Sequence, residues 1–123
     1  MIDVATWIGV AACGALGALA RFRVDGSVTA RTDTVFPIGT FVVNLTGAFV
    51  LGVLLGLAPT HRIGLLLGTG FLGGYTTFST WMVESERLVE GDDLPFVLLN
   101  LGASMACGFG VAAGGWYVGQ AIA

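Results

Sequence analysis

The sequence predicts an all-α integral membrane protein with four transmembrane helices, and three observations carry that prediction. Of its 123 residues, 55% are hydrophobic, a further 20 are glycine and only 11% are charged. Mean hydropathy is +0.89, whereas a water-soluble domain of this size needs charge to cover its surface. The apolar residues also fall into four long runs, 4–22, 36–58, 63 to about 83, and 95–122, joined by short polar connectors. Each run is long enough to cross about 30 Å of hydrocarbon at about 1.5 Å per residue. The chain therefore reads as a single membrane domain over 1–123, set in a lipid bilayer. No stretch outside the runs is left to host an enzyme, and no nucleic-acid partner is expected.

The first run, 4–22, could be mistaken for a cleaved signal peptide. It has Asp3 in place of a basic leading region, and Arg21 and Arg23 follow the apolar residues, as in a retained span. Residues 25–37 are polar and read as the first connector. The second run carries Asn44, followed by Gly47 and Ala48, which puts the amide on a face that another helix can approach closely. "APTHR", 58–62, reads as a tight turn with His61 at the interface. The third helix is expected from 63 to about 87, with a break near 73–77, and the acidic stretch 84–95 reads as a solvated connector. The fourth, 95–122, repeats Asn100, Ser104 and Gly108 at four-residue spacing, which aligns them along one stripe. Cys13 and Cys107 lie inside spans and read as small packed residues. The pairs Gly52/Gly56, Gly64/Gly68, Gly70/Gly74 and Gly110/Gly114 are small-xxx-small packing faces, and so small a bundle is expected to self-associate.

Polar residues at membrane depth are where function is expected. Span two holds Thr40, Asn44 and Thr46, and span three holds Thr69, Tyr75, Thr76, Thr77, Ser79 and Thr80. No Asp, Glu, Lys or His lies near the middle of a span, so a carboxylate-dependent proton exchanger is disfavoured. Neutral donors can hold a small anion without fixing it too tightly, as conduction requires. In "GGYTTFST", 73–80, paired glycines precede paired β-branched threonines, and each glycine weakens a helix interior by about 1 kcal/mol relative to alanine. A break there exposes carbonyl oxygens that can ligate a bare cation and amides that favour anions.

"GGYTTFST" at 73–80, "GTFVVNLTGAF" at 39–49 and "GALGALARF" at 14–22 closely resemble the Fluc (CrcB) family of fluoride ion channels across essentially the whole chain. The resemblance implies a passive fluoride channel in a prokaryotic cell membrane, built as an antiparallel, dual-topology dimer with two ion paths along its interface. It also implies a structural sodium ion (Na+) on the two-fold axis, held by main-chain carbonyls of Gly73 and Thr76. By motif position, Asn44, Phe78, Ser79, Thr80 and Ser104 are implied for the ion path and Arg21 for the vestibule. Three positions depart from the family pattern, one of them Gly108, which stands where a second serine is frequent on the fourth helix and offers no donor. Trp81 stands where a second phenylalanine of the aromatic box is usual, and Asn100 stands where tyrosine is frequent. Both are assigned to the ion path, the indole edge and N–H and the Asn100 amide serving as substitutes.

Arg21, Arg23, Arg31 and Arg87 lie on the side of the first and third connectors, against Arg62 on the side of both termini. Balanced dual topology would want near equality. A homodimer is expected, with a heterodimer of oppositely oriented paralogues as the other arrangement. The competing functions are a small multidrug-type exporter, which needs a carboxylate that 4–22 lacks, and a non-transporting assembly subunit.

Overall fold

The computed structural model describes residues 2–123, apart from the side chain of Ser79. Helix α1, Val4–Ala30, begins at an Asp3 cap. One Asp3 carboxylate oxygen accepts from the Thr6 N–H at 2.9 Å and from the Thr6 hydroxyl at 2.6 Å. Arg62 then ties this cap to the start of the third helical stretch, donating from Nη2 to Asp3 at 2.9 Å and from Nε to Thr6 Oγ1 at 3.1 Å.

These contacts hold the Asp3 carboxyl below its ordinary range, chiefly through the Thr6 hydroxyl, then the Thr6 amide, with Arg62 assisting. A depressed folded-state value means the cap contributes fully above the ordinary carboxylate range and fades as pH falls through that depressed value. Amide exchange at residues 4–7 should therefore accelerate on acidification in the wild type. Asp3→Asn, which still caps but does not titrate, should remove that acceleration, and an unchanged acid response in the variant would eliminate Asp3 as its source.

α1 continues well past the expected end at 22. The hydroxyl of Thr29 donates to Asp25 at 3.2 Å, and the helix closes at Arg31. Gly39 makes room for this extension, because a Cβ there would lie 1.9 Å from the Asp25 carboxylate. The first connector is therefore shorter than 25–37. Helix α2, Ile38–Leu57, stops at Ala58, whose φ of 51° is left-handed. Thr60 caps α3, His61–Ile63, which runs without interruption into a π-helical stretch, Gly64–Leu72, and α4, Gly73–Tyr75. Helical backbone then stops, with Thr76 extended at φ −78°, ψ 159°. It resumes in α5, Ser79–Glu90, and ends with α6, Leu94–Ile122, which has Pro95 in its first turn.

Three helices, α1, α2 and α6, are long and apolar enough to cross a membrane by length and composition. The stretch 61–75 is shorter, roughly 22 Å at an α-helical rise. The third helical stretch was expected to end near 87, yet residues 88–90 of the acidic stretch 84–95 are helical too. The reason is amphipathic spacing, since Ser85 and Leu88 are buried while Glu86, Arg87 and Glu90 face outward.

The bundle packs as two backbone-to-backbone pairs. α2 lies against α6 through Gly52 and Gly56 on one side and Gly115 and Gly119 on the other. A Cβ at these positions would come within 2.1–2.3 Å of the carbonyl oxygens of Ala112, Trp116, Phe49 and Val53. α1 lies against 64–75 through Gly17, Gly70 and Gly74. Within the subunit a Cβ on Gly64, Gly110 or Gly114 would meet nothing within 4 Å, so these members of the expected packing pairs take no part in its internal contacts. Rotation of α6 turns Gly115 and Gly119 toward α2 instead. Cys13 sits against Gly70, whereas Cys107 is exposed rather than packed. Large apolar side chains such as Phe22, Phe78 and Phe109 point outward, as a lipid-facing or partner-facing surface requires.

Candidate functional site

The non-helical residues 76–78 are held by α2 and α1. Asn44 grips Thr77 at both main-chain groups, donating from Nδ2 to the Thr77 carbonyl at 3.0 Å and accepting the Thr77 N–H on Oδ1 at 2.9 Å. One side chain thus replaces the helical partners that Thr77 forfeits at the interruption. Gly47, one turn along α2, lets Thr76 approach, since a Cβ there would lie 2.3 Å from the threonine methyl. From α1, Arg21 Nε donates to the Gly74 carbonyl at 3.4 Å. The usual helical donor to that carbonyl, four residues on, lies beyond the end of α4. Glycine at 74 matters for packing more than for a bend, because its Cα rests on the Gly14 backbone.

Carbonyl groups at the interruption lose their ordinary partners in a particular way. The donor that would close a helical bond to Gly73 is the Thr77 N–H, which goes to Asn44. The donor that would serve Thr76 is the Thr80 N–H, which goes to the Thr77 hydroxyl at 3.2 Å. Both carbonyls named from the motif are therefore deprived of their i+4 donors, and oxygen ligands of this kind suit a hard monovalent cation. The residues present fit sodium.

A cavity of about 380 Å³ opens beside this turn and brings Asn44, Gly73, Thr76, Thr77, Phe78 and Trp81 together. Phe78 is 69% exposed and meets Trp81 edge to face, with ring centroids 5.7 Å apart at 71°. A smaller cavity of about 140 Å³ gathers Asn44, Trp81 and Ser104 with Phe41, Met105 and Gly108. Thr80 lines a third, about 440 Å³, with Asp25, Thr29, Glu84 and Arg87. Arg21 reaches the turn from α1 without lining any of these three cavities. Of Ser79, the structure describes only the backbone, which opens α5; its side chain lies outside the described residues.

Asn100 and the Trp81 indole are placed differently from what the motif suggested. Asn100 is fully buried and donates to Ser85 at 2.8 Å, while Trp81 Nε1 donates to the Asn100 carbonyl at 3.2 Å. Ser104 Oγ and Asn100 Oδ1 are buried without a protein partner among the described residues. Sequence reasoning counted Thr77 among the helix-weakening residues but gave it no role in the site, and it did not single out Ser85 or Glu84. Thr77 is engaged through its backbone, which residue identity does not reveal. Ser85 and Glu84 fell in the presumed connector, where the four-residue spacing of Trp81, Ser85 and the nearby Leu88 was the available signal. Glu84 accepts a hydrogen bond from the buried Thr40 hydroxyl and borders two cavities.

Residues 8–116 match the family described as CrcB-like protein, Camphor Resistance (CrcB). The chain is 50% identical over 123 residues to a Mycolicibacterium paratuberculosis protein named Fluoride-specific ion channel FluC 2, covering 100% of this chain and 98% of that one. It is 47% identical over 119 residues to the Mycobacterium tuberculosis H37Rv protein of the same name, covering 97% and 94%. Against Fluoride-specific ion channel FluC 1 of Leifsonia xyli the identity is 42% over 121 residues, covering 94% and 88%. With the match spanning nearly all of the helical framework and the whole of the interruption at 76–78, the chain belongs to the CrcB family of ion channels.

Proposed function

We propose that this chain is the subunit of a passive, fluoride-selective channel that releases cytoplasmic fluoride across the cell membrane. The observation that carries the reading is the interruption at 76–78, clasped by Asn44 and opening onto the cavity rimmed by Phe78 and Trp81. Relatives named as fluoride-specific channels over the full length support it. Fluoride is small and strongly hydrated, so a path must offer hydrogen-bond donors in place of water, and the positive edge of an aromatic ring adds a weak favourable field. In this reading, 61–90 is the third of four membrane crossings, made of two helical pieces around the turn. Two inverted copies pair across it, with two ion paths along their interface.

The main-chain carbonyls of Gly73 and Thr76 would hold a structural sodium ion. Bound there, sodium would supply positive charge to offset the carbonyl oxygens left without helical donors. Asn44 keeps the turn in shape, Arg21 satisfies Gly74 and places positive charge near the turn, and Ser104 offers a buried hydroxyl to a passing anion.

Fluoride efflux from liposomes holding this chain alone tests the proposal. The wild type should release fluoride, and Phe78→Ile, which removes the aromatic edge while keeping bulk, should lower efflux at least about tenfold, a barrier change of about 1.4 kcal/mol. Unaltered efflux in Phe78→Ile would remove the aromatic pair from the path. A heterodimer remains the second arrangement, favoured by the arginine imbalance and by relatives numbered FluC 1 and FluC 2. A folded chain silent alone but active with an oppositely inserted paralogue would establish it.

A further inference from the structure

We infer that Asn100, with Ser85, is a positioning residue that sets the orientation of the Trp81 ring, rather than a donor lining the ion path. The inference deepens the channel reading and rests on it for its functional consequence. α5 follows three non-helical residues, so its rotation is decided by what it docks against, and α6 is that support. The docking is polar and directional. The Ser85 hydroxyl donates to the Trp81 carbonyl at 2.9 Å, which spends its single hydrogen. Its oxygen must therefore accept from Asn100 Nδ2, at 2.8 Å in a buried setting. That direction fixes the Asn100 amide and leaves Oδ1 facing no protein donor.

The return contact closes the loop. Trp81 Nε1 donates to the Asn100 carbonyl at 3.2 Å, so residues 81 and 85 grip residue 100 at two points. A ring held by its N–H and by the helix turn beneath it has little rotational freedom. Trp81 lines both the 380 Å³ and the 140 Å³ cavities, and Phe78 meets it in a T-shaped contact. Releasing the clasp should therefore loosen the wall shared by both cavities. Two of the positions at which this chain departs from the family pattern, 81 and 100, are thus in direct contact.

The test uses Trp81 as the sole tryptophan, after Trp7→Phe and Trp116→Phe, and reads its indole N–H signal by NMR beside fluoride efflux from liposomes. Asn100→Leu preserves bulk and removes the unpartnered Oδ1 together with the donor, so folding is expected to survive. Its indole signal should shift toward that of a non-hydrogen-bonded indole, and efflux should fall. Ser85→Ala should reproduce both changes, and Ser85→Thr, which keeps the hydroxyl, should restore both. Loss of efflux in Asn100→Leu with an unmoved indole signal would overturn the inference and return Asn100 to the path lining. An indole shift in a protein whose wild type conducts no fluoride, either alone or with an oppositely inserted paralogue, would leave the clasp standing and refute the channel reading.

Discussion

Asn44→Ala is expected to abolish fluoride efflux and to lower thermal stability in detergent, because it strips Thr77 of both main-chain partners at once. An unsatisfied buried backbone group costs about 1–3 kcal/mol, and Thr77 would carry two, while the helical bonds that remain belong to its neighbours Thr76 and Phe78. Asn44→Asp separates structure from conduction. The carboxylate still accepts the Thr77 N–H, but it cannot donate to the Thr77 carbonyl and sets an anion beside the cavity. Efflux should vanish in Asp as in Ala, with a smaller loss of stability if Asp keeps the one bond. Wild-type melting and wild-type efflux in Asn44→Ala would mean that the turn is held by something other than this clasp.

Gly74→Val should be the most damaging single substitution at the interruption. Its Cβ would lie 2.1 Å from the Gly14 carbonyl oxygen, which is backbone and unable to swing aside. α1 would have to move away, carrying Arg21 from the Gly74 carbonyl. Overpacking of this kind costs about 1–3 kcal/mol or more, and here it also opens the support under the turn. Gly110→Val is the matched control, since nothing lies within 4 Å of its Cβ inside the subunit. Comparable melting of purified Gly74→Val and wild type would contradict the close α1 contact.

How far the sequence was legible depends on the kind of interaction. Hydropathy located α1, α2 and α6, because lipid exposure is a property of composition along a run. Their ends were harder to read. The polar residues 25–30 continue α1, since the Asp25–Thr29 contact and the gap at Gly39 favour helix there, and neither is visible in a hydropathy window. The acidic stretch after Val83 was read as connector because charge dominated the reading, while Ser85 and Leu88 mark a buried stripe within it. Glycine spacing named Gly52 and Gly56 correctly, yet it chose Gly110 and Gly114 over Gly115 and Gly119, because spacing alone does not give the rotation of a helix about its axis. For the site, the motif named Asn44, Phe78 and Trp81, and these do line one cavity. It could not anticipate that Asn44 spends its amide on Thr77 or that Asn100 turns toward Ser85.

By itself the sequence determined that this chain lives in a bilayer as helices, since that follows from side-chain chemistry summed along each run. Only the tertiary structure decided which polar groups are free and which are already committed to one another. A hydrogen bond between residues 33 apart, such as Asn44 to Thr77, depends on distance and direction in space, and no local pattern encodes either.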